Sequence, residues 1–200
     1  NIKVKKGLLE DKINNFYSTY FFNRKNQLPY VTGKIAISKN NLIYSKLNKK
    51  ITNVHSDKFT HLVRYKNDAI MVSYKTLNKD NSKLNCRIKS FSNYSPKRII
   101  LDNKLQTKIN SYVIKTINKD NTIIFYNQAD KSKILDFKKK KIQLIKSKIN
   151  KQGKFDVKAI LKKLYTYNCR NLLIEGGGSL TSHLLKNKIF NKFYLYKSPK

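Results

Sequence analysis

The sequence predicts an α/β domain: a central, mostly parallel sheet flanked by helices. Three observations predict it. Strand-like and helix-like segments alternate along most of the chain, the pattern of a sheet wound with crossover helices. Several strands, such as Ala69 to Ser73 and Leu172 to Ile174, are continuous apolar runs rather than alternating ones, which marks strands covered on both faces. The strand from Asn171 ends in Glu175 and passes through Gly176-Gly177-Gly178 into Ser179-Leu180, the outline of a strand–turn–helix unit.

Taken in order, Leu9 to Tyr20 suits a short helix in a lead-in segment. Pro29 to Ser38 is a strand, since Tyr30, Val31, Ile35 and Ile37 favour extended backbone. Asn40-Asn41 ends it in a turn. Ser56 is the expected N-cap of a helix carrying Phe59, Leu62 and Val63, which Asn67-Asp68 breaks. After the strand 69–73 a polar loop runs from Tyr74 to Arg87. Arg98 to Leu101, Tyr112 to Ile117 and Thr122 to Tyr126 are expected strands, with a weaker one at Ile142 to Ile145. Phe155 to Tyr165 is the clearest helix: Asp156 can cap it, and Val157, Ile160, Leu161 and Leu164 recur at helical spacing. Ser179 is the expected cap of a helix bearing Leu180, Leu184 and Leu185, and Phe193 to Tyr196 is a last strand.

The formal net charge is +33, which raises the question of nucleic acid. Only five of the 44 basic residues are arginine, at 24, 64, 87, 98 and 170. A surface selected to grip bases and phosphates would use more of that planar, bidentate fork. The accompanying abundance of Lys, Asn and Ile fits A/T-rich coding drift, so the lysines are expected to form a solvated surface that favours anionic ligands through its overall field. No apolar run reaches the roughly 18 residues of a membrane span, and a cytoplasmic protein without a membrane partner is expected. Cys86 and Cys169 form no metal or redox spacing, and His55, His61 and His183 show none either.

Three constellations suggest chemistry. In Asn171 to Leu180 a buried strand delivers Glu175 to its carboxyl end, the glycines let a ligand approach the backbone, and the helix start suits a phosphate. Neither G-x-G-x-x-G nor a P-loop is present, and a plain glycine-rich connection is the alternative. Lys34 shares a strand face with Ala36 and Ser38; it is either a functional cation or part of a wet face. Arg64 and Arg87 suit bidentate phosphate binding or are surface arginines, and the loop between them offers Thr76, Asp80 and Asn81 to a sugar or amide.

In order, these segments resemble the reductase domain of the bifunctional riboflavin-biosynthesis enzymes. The residues concerned are Pro-Tyr-Val-Thr-Gly-Lys-Ile-Ala-Ile-Ser (29–38), His61-Leu62-Val63-Arg64 with Asp68-Ala69-Ile70-Met71-Val72, the loop from Thr76 to Arg87, Arg98 to Asp102, and Leu173-Ile174-Glu175-Gly176-Gly177. The resemblance runs from about Pro29 to Pro199. It implies a dihydrofolate-reductase-like fold and reduction of 5-amino-6-(5-phosphoribosylamino)uracil with NADPH. It places Asn48, Arg64, Leu84, Arg87 and Glu175 at the substrate, the arginines near its phosphate. It places Ala36, Lys50, Thr76, Asp80, Asn103, Gly177, Gly178, Ser179, Leu180, Thr181, Ser182 and His183 at NADPH. Lys34 and Glu175 are the implied catalytic residues.

The resemblance also implies a homodimer and a preceding zinc deaminase domain, whose His-x-Glu and Pro-Cys-x-x-Cys ligands are absent from this sequence. Residues 1–28 then form the tail of that domain, and 29–200 a reductase domain ending early. Asn40-Asn41 stands where the family has Asp-Gly, Asn48-Lys49-Lys50 where it has Ser-x-Trp, Ser82 where it has proline, and Asn191-Lys192 where it has an acidic pair. A pterin reductase of dihydrofolate-reductase type and a basic nucleic-acid-binding protein are the competing functions.

Overall fold

A computed structural model of the chain describes residues 2–43, 51–91, 94–117 and 122–199. Seven strands form one sheet: β1 (Tyr30–Ile37), β2 (Ala69–Ser73), β3 (Lys97–Leu101), β4 (Thr122–Tyr126), β5 (Gln143–Lys146), β6 (Asn171–Ile174) and β7 (Lys192–Lys197), in the order β5-β4-β3-β2-β6-β1-β7. Every pairing is parallel. The expected mostly parallel sheet is thus parallel throughout its described ladder. Because a parallel neighbour needs a crossover, helices cover both faces.

The helices are α1 (Glu10–Phe16), α2 (Ser18–Asn26), α3 (Val54–Tyr65), α4 (Tyr74–Asp80), α5 (Tyr112–Lys115), α6 (Lys131–Lys139), α7 (Val157–Thr166) and α8 (Gly178–Lys186). Alternate residues of each strand feed two cores. Ala69, Met71, Ile99, Leu101, Ile123, Phe125, Leu172 and Ile174 pack with Ile160, Leu161 and Leu164 of α7 and Leu184 of α8. Ile70, Val72, Ile100, Ile124 and Leu173 pack with Val63 of α3, Leu77 of α4, Val113 and Ile114 of α5, and Phe137 of α6.

Several expectations change. Tyr112–Lys115 is a helical turn, not a strand. Its β-forming residues bury Val113 and Ile114 under the sheet, and the Tyr112 amide donates to Asn81 Oδ1 at 2.9 Å, so tertiary context overrides local preference. The polar loop from Tyr74 opens as α4, capped by Ser73, whose side chain accepts the Thr76 N–H. The N-cap of α3 is Asn53; Ser56 is its partner in a capping box. Gly177 occupies the N-cap position of α8, and Ser179 lies inside its first turn. Helix α6 was hidden in a lysine-rich run. The lead-in is two helices, anchored where Asn23 donates to the carbonyls of Leu28 and Arg170 at 2.7 and 3.1 Å.

One glycine is required by contact rather than by φ, and at a second the neighbouring side-chain tip would only have to move aside. A Cβ on Gly33 would collide with the rings of Phe193 and Phe190, which cover β1 from the β7 side. One on Gly178 would come within 2.7 Å of Ile43 Cδ1. The three consecutive glycines all avoid positive φ; Gly177 is extended and Gly178 already begins α8.

Candidate functional site

Ligands of open parallel sheets bind outside the carboxyl ends of the strands, where the strand order reverses. Here β6 lies between β1 and β2, and two clefts open at this end of the sheet, the first at β1, β2 and β6 and the second at β2 and β3. One, of about 170 Å³, is lined by Lys34, Ala36, Thr76, Asp80, Leu84 and Glu175, together with Ile43 and Ser82. The other, of about 260 Å³, lies between the start of α4 and the start of α8 and includes Ser73, Asn103, Phe155, Ser179, Leu180 and His183. The start of α4 lines both; Gly176 lines the first, and Gly177 and Gly178 line neither.

The first cleft is organised by charge. Glu175 follows the last residue of β6, and its amide donates to the Met71 carbonyl at 3.1 Å, which fixes the backbone at the cleft floor. Both its oxygens accept from Arg64, one from Nε and one from Nη2, each at 2.7 Å. Nη1 of Arg64 donates to the Asn85 carbonyl at 3.2 Å. The two side chains are only 12% and 15% exposed, so the pair is bidentate and largely dry. Burial alone would raise the Glu175 pKa. The charge and hydrogen bonds of Arg64, with Lys34 and His61 behind them, outweigh burial and hold this carboxyl below the ordinary glutamate value. The same pairing outweighs burial at Arg64 and raises its pKa.

Lys34 is half-buried, which answers the question its strand position posed: its face is neither wet nor sealed. Its Nζ lies 5.0 Å from the centroid of the Tyr196 ring on the paired strand β7, where Ala36 and Tyr196 are in register. Burial pushes the Lys34 pKa below the ordinary lysine value, with Arg64 adding to the effect against the pull of Glu175 and Asp57. A cation at the mouth of a cleft, with a carboxylate across from it and a depressed pKa, is suited to giving up a proton.

The segment after α4 shapes the remaining wall. Asn81 and Leu84 both adopt positive φ, 42° and 52°, an uncommon conformation for a leucine. Leu84 is held there by burial, at 2% exposure. Beyond it, Arg87 is exposed, and its Nη1 donates to Asn85 Oδ1 at 3.3 Å. Partial burial and the neighbouring Arg64 push the Arg87 pKa down, the situation of a cation that would gain from an anion. Arg64 has three of its nitrogens committed, so Arg87 is the one of the two with most of its fork available.

The second cleft suits a dinucleotide. No side chain caps α8, so its first-turn amides are open to a phosphate. At Gly177 an added Cβ would come within 3.3 Å of Thr76 Oγ1, so the backbone there is close-packed and narrow. The Asp102 carboxylate, fully buried, accepts from the amides of Gln106 and Thr107 and from the Thr107 hydroxyl at 2.6–2.8 Å, which fixes the loop that presents Asn103.

The structure therefore brings Lys34, Ala36, Thr76, Asp80, Leu84 and Glu175 to one cleft, and Asn103, Ser179, Leu180 and His183 to the other. Thr181 is buried, and its hydroxyl donates back to the Gly176 carbonyl at 3.4 Å; Ser182 is exposed on α8 and lines neither cleft. Asn48 and Lys50 lie outside the described residues. Ile43 and Asp102 were missed, because an isoleucine near a turn and a lone aspartate after a strand carry no pattern. Among the described residues, no three His, Cys, Asp or Glu groups are placed to hold a metal, and no helix is long and apolar enough to cross a membrane.

The RibD C-terminal domain family matches residues 32–200. The chain is 28% identical over 201 residues to the riboflavin biosynthesis protein RibD of Actinobacillus pleuropneumoniae, covering all of this chain and 53% of that protein. It is 29% identical over 175 residues to the 2,5-diamino-6-ribosylamino-4(3H)-pyrimidinone 5′-phosphate reductase of Debaryomyces hansenii, covering 78% of this chain and 69% of that protein. Among solved structures it is similar to the deaminase/5-amino-6-(5-phosphoribosylamino)uracil reductase of Thermotoga maritima, with a TM-score of 0.80, 24% identity, and coverage of 100% of this chain and 53% of that one. At that identity the likeness speaks to the fold. The chain spans about half the length of the RibD proteins it matches.

Proposed function

The chain belongs to the RibD C-terminal domain family, and we propose that it reduces 5-amino-6-(5-phosphoribosylamino)uracil to the ribitylamino product with NADPH. The observation that carries this reading is that two chemically different clefts meet at the start of α4. One presents uncapped helix amides beside lysines and apolar side chains, suited to a dinucleotide. The other presents Lys34 and the Arg64-bound Glu175, suited to a polar heterocycle and its sugar.

On this reading Asn103, Gly177, Gly178, Ser179, Leu180 and His183 hold the dinucleotide, with Thr76, Asp80 and Ala36 at its inner end. Lys50, Thr181 and Ser182 are assigned to the same ligand by the family resemblance alone, as Asn48 is to the substrate. The bound nicotinamide supplies the hydride. The residues of the chain supply placement and charge. Each Glu175 oxygen accepts one bond from Arg64 and keeps a further lone pair for an N–H of the pyrimidine. Arg64 fixes that carboxylate from behind. Leu84 packs beside the ring, and Arg87 takes the phosphate. Lys34 polarises the opened sugar at C1′ and provides the proton that accompanies reduction. A preceding deaminase domain and a homodimer complete the reading.

Initial rates of NADPH oxidation test it, with three acceptors compared: the phosphoribosylamino pyrimidine, its dephosphorylated analogue and dihydrofolate. The first is expected to turn over. Loss of the phosphate is expected to raise KM by at least about tenfold, since charge-assisted hydrogen bonds contribute about 1.5–3 kcal/mol. Preference for dihydrofolate, or no turnover of any acceptor, would overturn the reading.

A further inference from the structure

We propose that His61 is a positioning residue for substrate phosphate, holding the backbone of Arg87 through an unprotonated Nδ1. The proposal rests on the assignment of Arg87 above and goes beyond it, because nothing in the family pattern gives this histidine a task. Three contacts clip the last turns of α3 to residues 85–87. Arg64 Nη1 donates to the Asn85 carbonyl at 3.2 Å, Cys86 Sγ donates to the His61 carbonyl at 3.5 Å, and the Arg87 amide donates to His61 Nδ1 at 3.3 Å. Only the third reaches Arg87 itself. The stretch from Asp80 to Arg87 contains neither glycine nor proline, yet it turns through positive φ at Asn81 and Leu84. Such a loop keeps its shape only while its surroundings hold it.

A neutral imidazole has one nitrogen that accepts and one that donates, whereas the imidazolium only donates. The Arg87 amide therefore has its acceptor only while His61 is neutral. The ring faces Arg64 on its own helix, Arg87 and the Asn85 carbonyl on the loop, and Glu175 at the end of β6. Burial, then Arg64 and Arg87, push its pKa below the ordinary histidine value, against the smaller opposing pulls of Asn85 and Glu175. The environment thus favours the neutral ring, and the Arg87 amide, by donating to Nδ1, selects the tautomer in which that nitrogen is bare. Acidification beyond the range where an ordinary histidine protonates adds a proton, removes the acceptor and sets a third cation beside two arginines.

The test is steady-state kinetics of the chain with the phosphoribosylamino pyrimidine from about pH 5.5 to 8, using the wild type, His61→Leu, His61→Asn and Arg87→Met. His61→Leu is expected to raise KM for the phosphorylated substrate about tenfold, the effect of one hydrogen bond of roughly 1–1.5 kcal/mol, with kcat and NADPH affinity nearly unchanged. His61→Asn, which keeps a side-chain acceptor, is expected to recover most of this. On acidification, KM of the wild type should rise more steeply than KM of His61→Asn, whose profile retains only the substrate phosphate's own titration near pH 6. The proposal is overturned if Arg87→Met raises KM while His61→Leu does not. It is equally overturned if His61→Asn recovers none of the KM effect of His61→Leu, or if its KM follows that of the wild type as far down in pH as both stay folded. An unchanged KM in Arg87→Met would instead remove the arginine from the phosphate site, and the proposal with it.

Discussion

At the residue scale the centre of the account is one ion pair. Glu175 and Arg64 are 111 positions apart, yet they meet through two 2.7 Å hydrogen bonds. Glu175→Gln keeps the shape and removes the charge. It is expected to cost about 2 kcal/mol at pH 7, because Arg64 is left partly buried without its counter-charge. The folded-state pKa of Glu175 lies below its ordinary value of 4.5. The pair's contribution is therefore complete above the unfolded pKa and is lost as pH falls through the folded one. Denaturant unfolding at pH 7 and near pH 3 should show the gap between wild type and Glu175→Gln shrinking at the lower pH. Lys34 has a different role. Lys34→Met is expected to lower kcat by roughly 10²–10⁴, the usual span for an acid–base group, while leaving NADPH affinity within about twofold. Equal turnover in the variant would remove Lys34 from the chemistry. Both residues could be singled out from sequence, since each is a charge on or beside an apolar strand. Their partners could not, because nothing local links Glu175 to Arg64 or Lys34 to Tyr196.

At the element scale the helix that matters most is α3, which carries His61 and Arg64. Its start is a capping box in which Asn53 accepts from the Ser56 amide at 2.9 Å and the Ser56 hydroxyl accepts from the Asn53 amide at 3.0 Å. Asn53→Ala is expected to lower stability by about 1 kcal/mol, read as a shift in denaturant midpoint with kcat preserved at saturation. The elements legible in the sequence were those with a strong period or an unbroken apolar run. Helix α7, with Val157, Ile160, Leu161 and Leu164 all buried and Asp156 accepting from the Ala159 amide at 3.0 Å, needed nothing beyond its own residues. Strands β2 and β6 were equally plain. The errors have two causes. Tyr112–Lys115 is rich in β-formers, but β4 already has β3 and β5 beside it, so the segment folds as a turn of helix beneath the sheet. Helix α6 buries chiefly Phe137, too little apolar surface to show through its lysines.

At the scale of the whole molecule, two features govern function. The sheet order puts β6 between β1 and β2, so residues from distant parts of the chain converge at one end. The net charge of +33 surrounds that end with a field that favours anionic ligands. Raising ionic strength from about 0.05 to 0.5 M shortens the screening length severalfold. It is expected to raise KM for NADPH a few-fold while leaving kcat in place; a KM indifferent to salt would mean that the lysine excess plays no part in capture. The composition made the charge plain and the alternation of elements made the parallel sheet plain. The pairing of two clefts at the start of α4 emerged only from the folded arrangement. The most direct test of that pairing follows an isotope. The phosphoribosylamino pyrimidine is incubated with the chain and NADPH carrying deuterium at the transferable C4 position, and the product is read by mass spectrometry and NMR. One deuterium at C1′ of the ribityl chain is the expected result. Product formed without deuterium at C1′, or NADPH consumed with no ribityl product, would contradict the account.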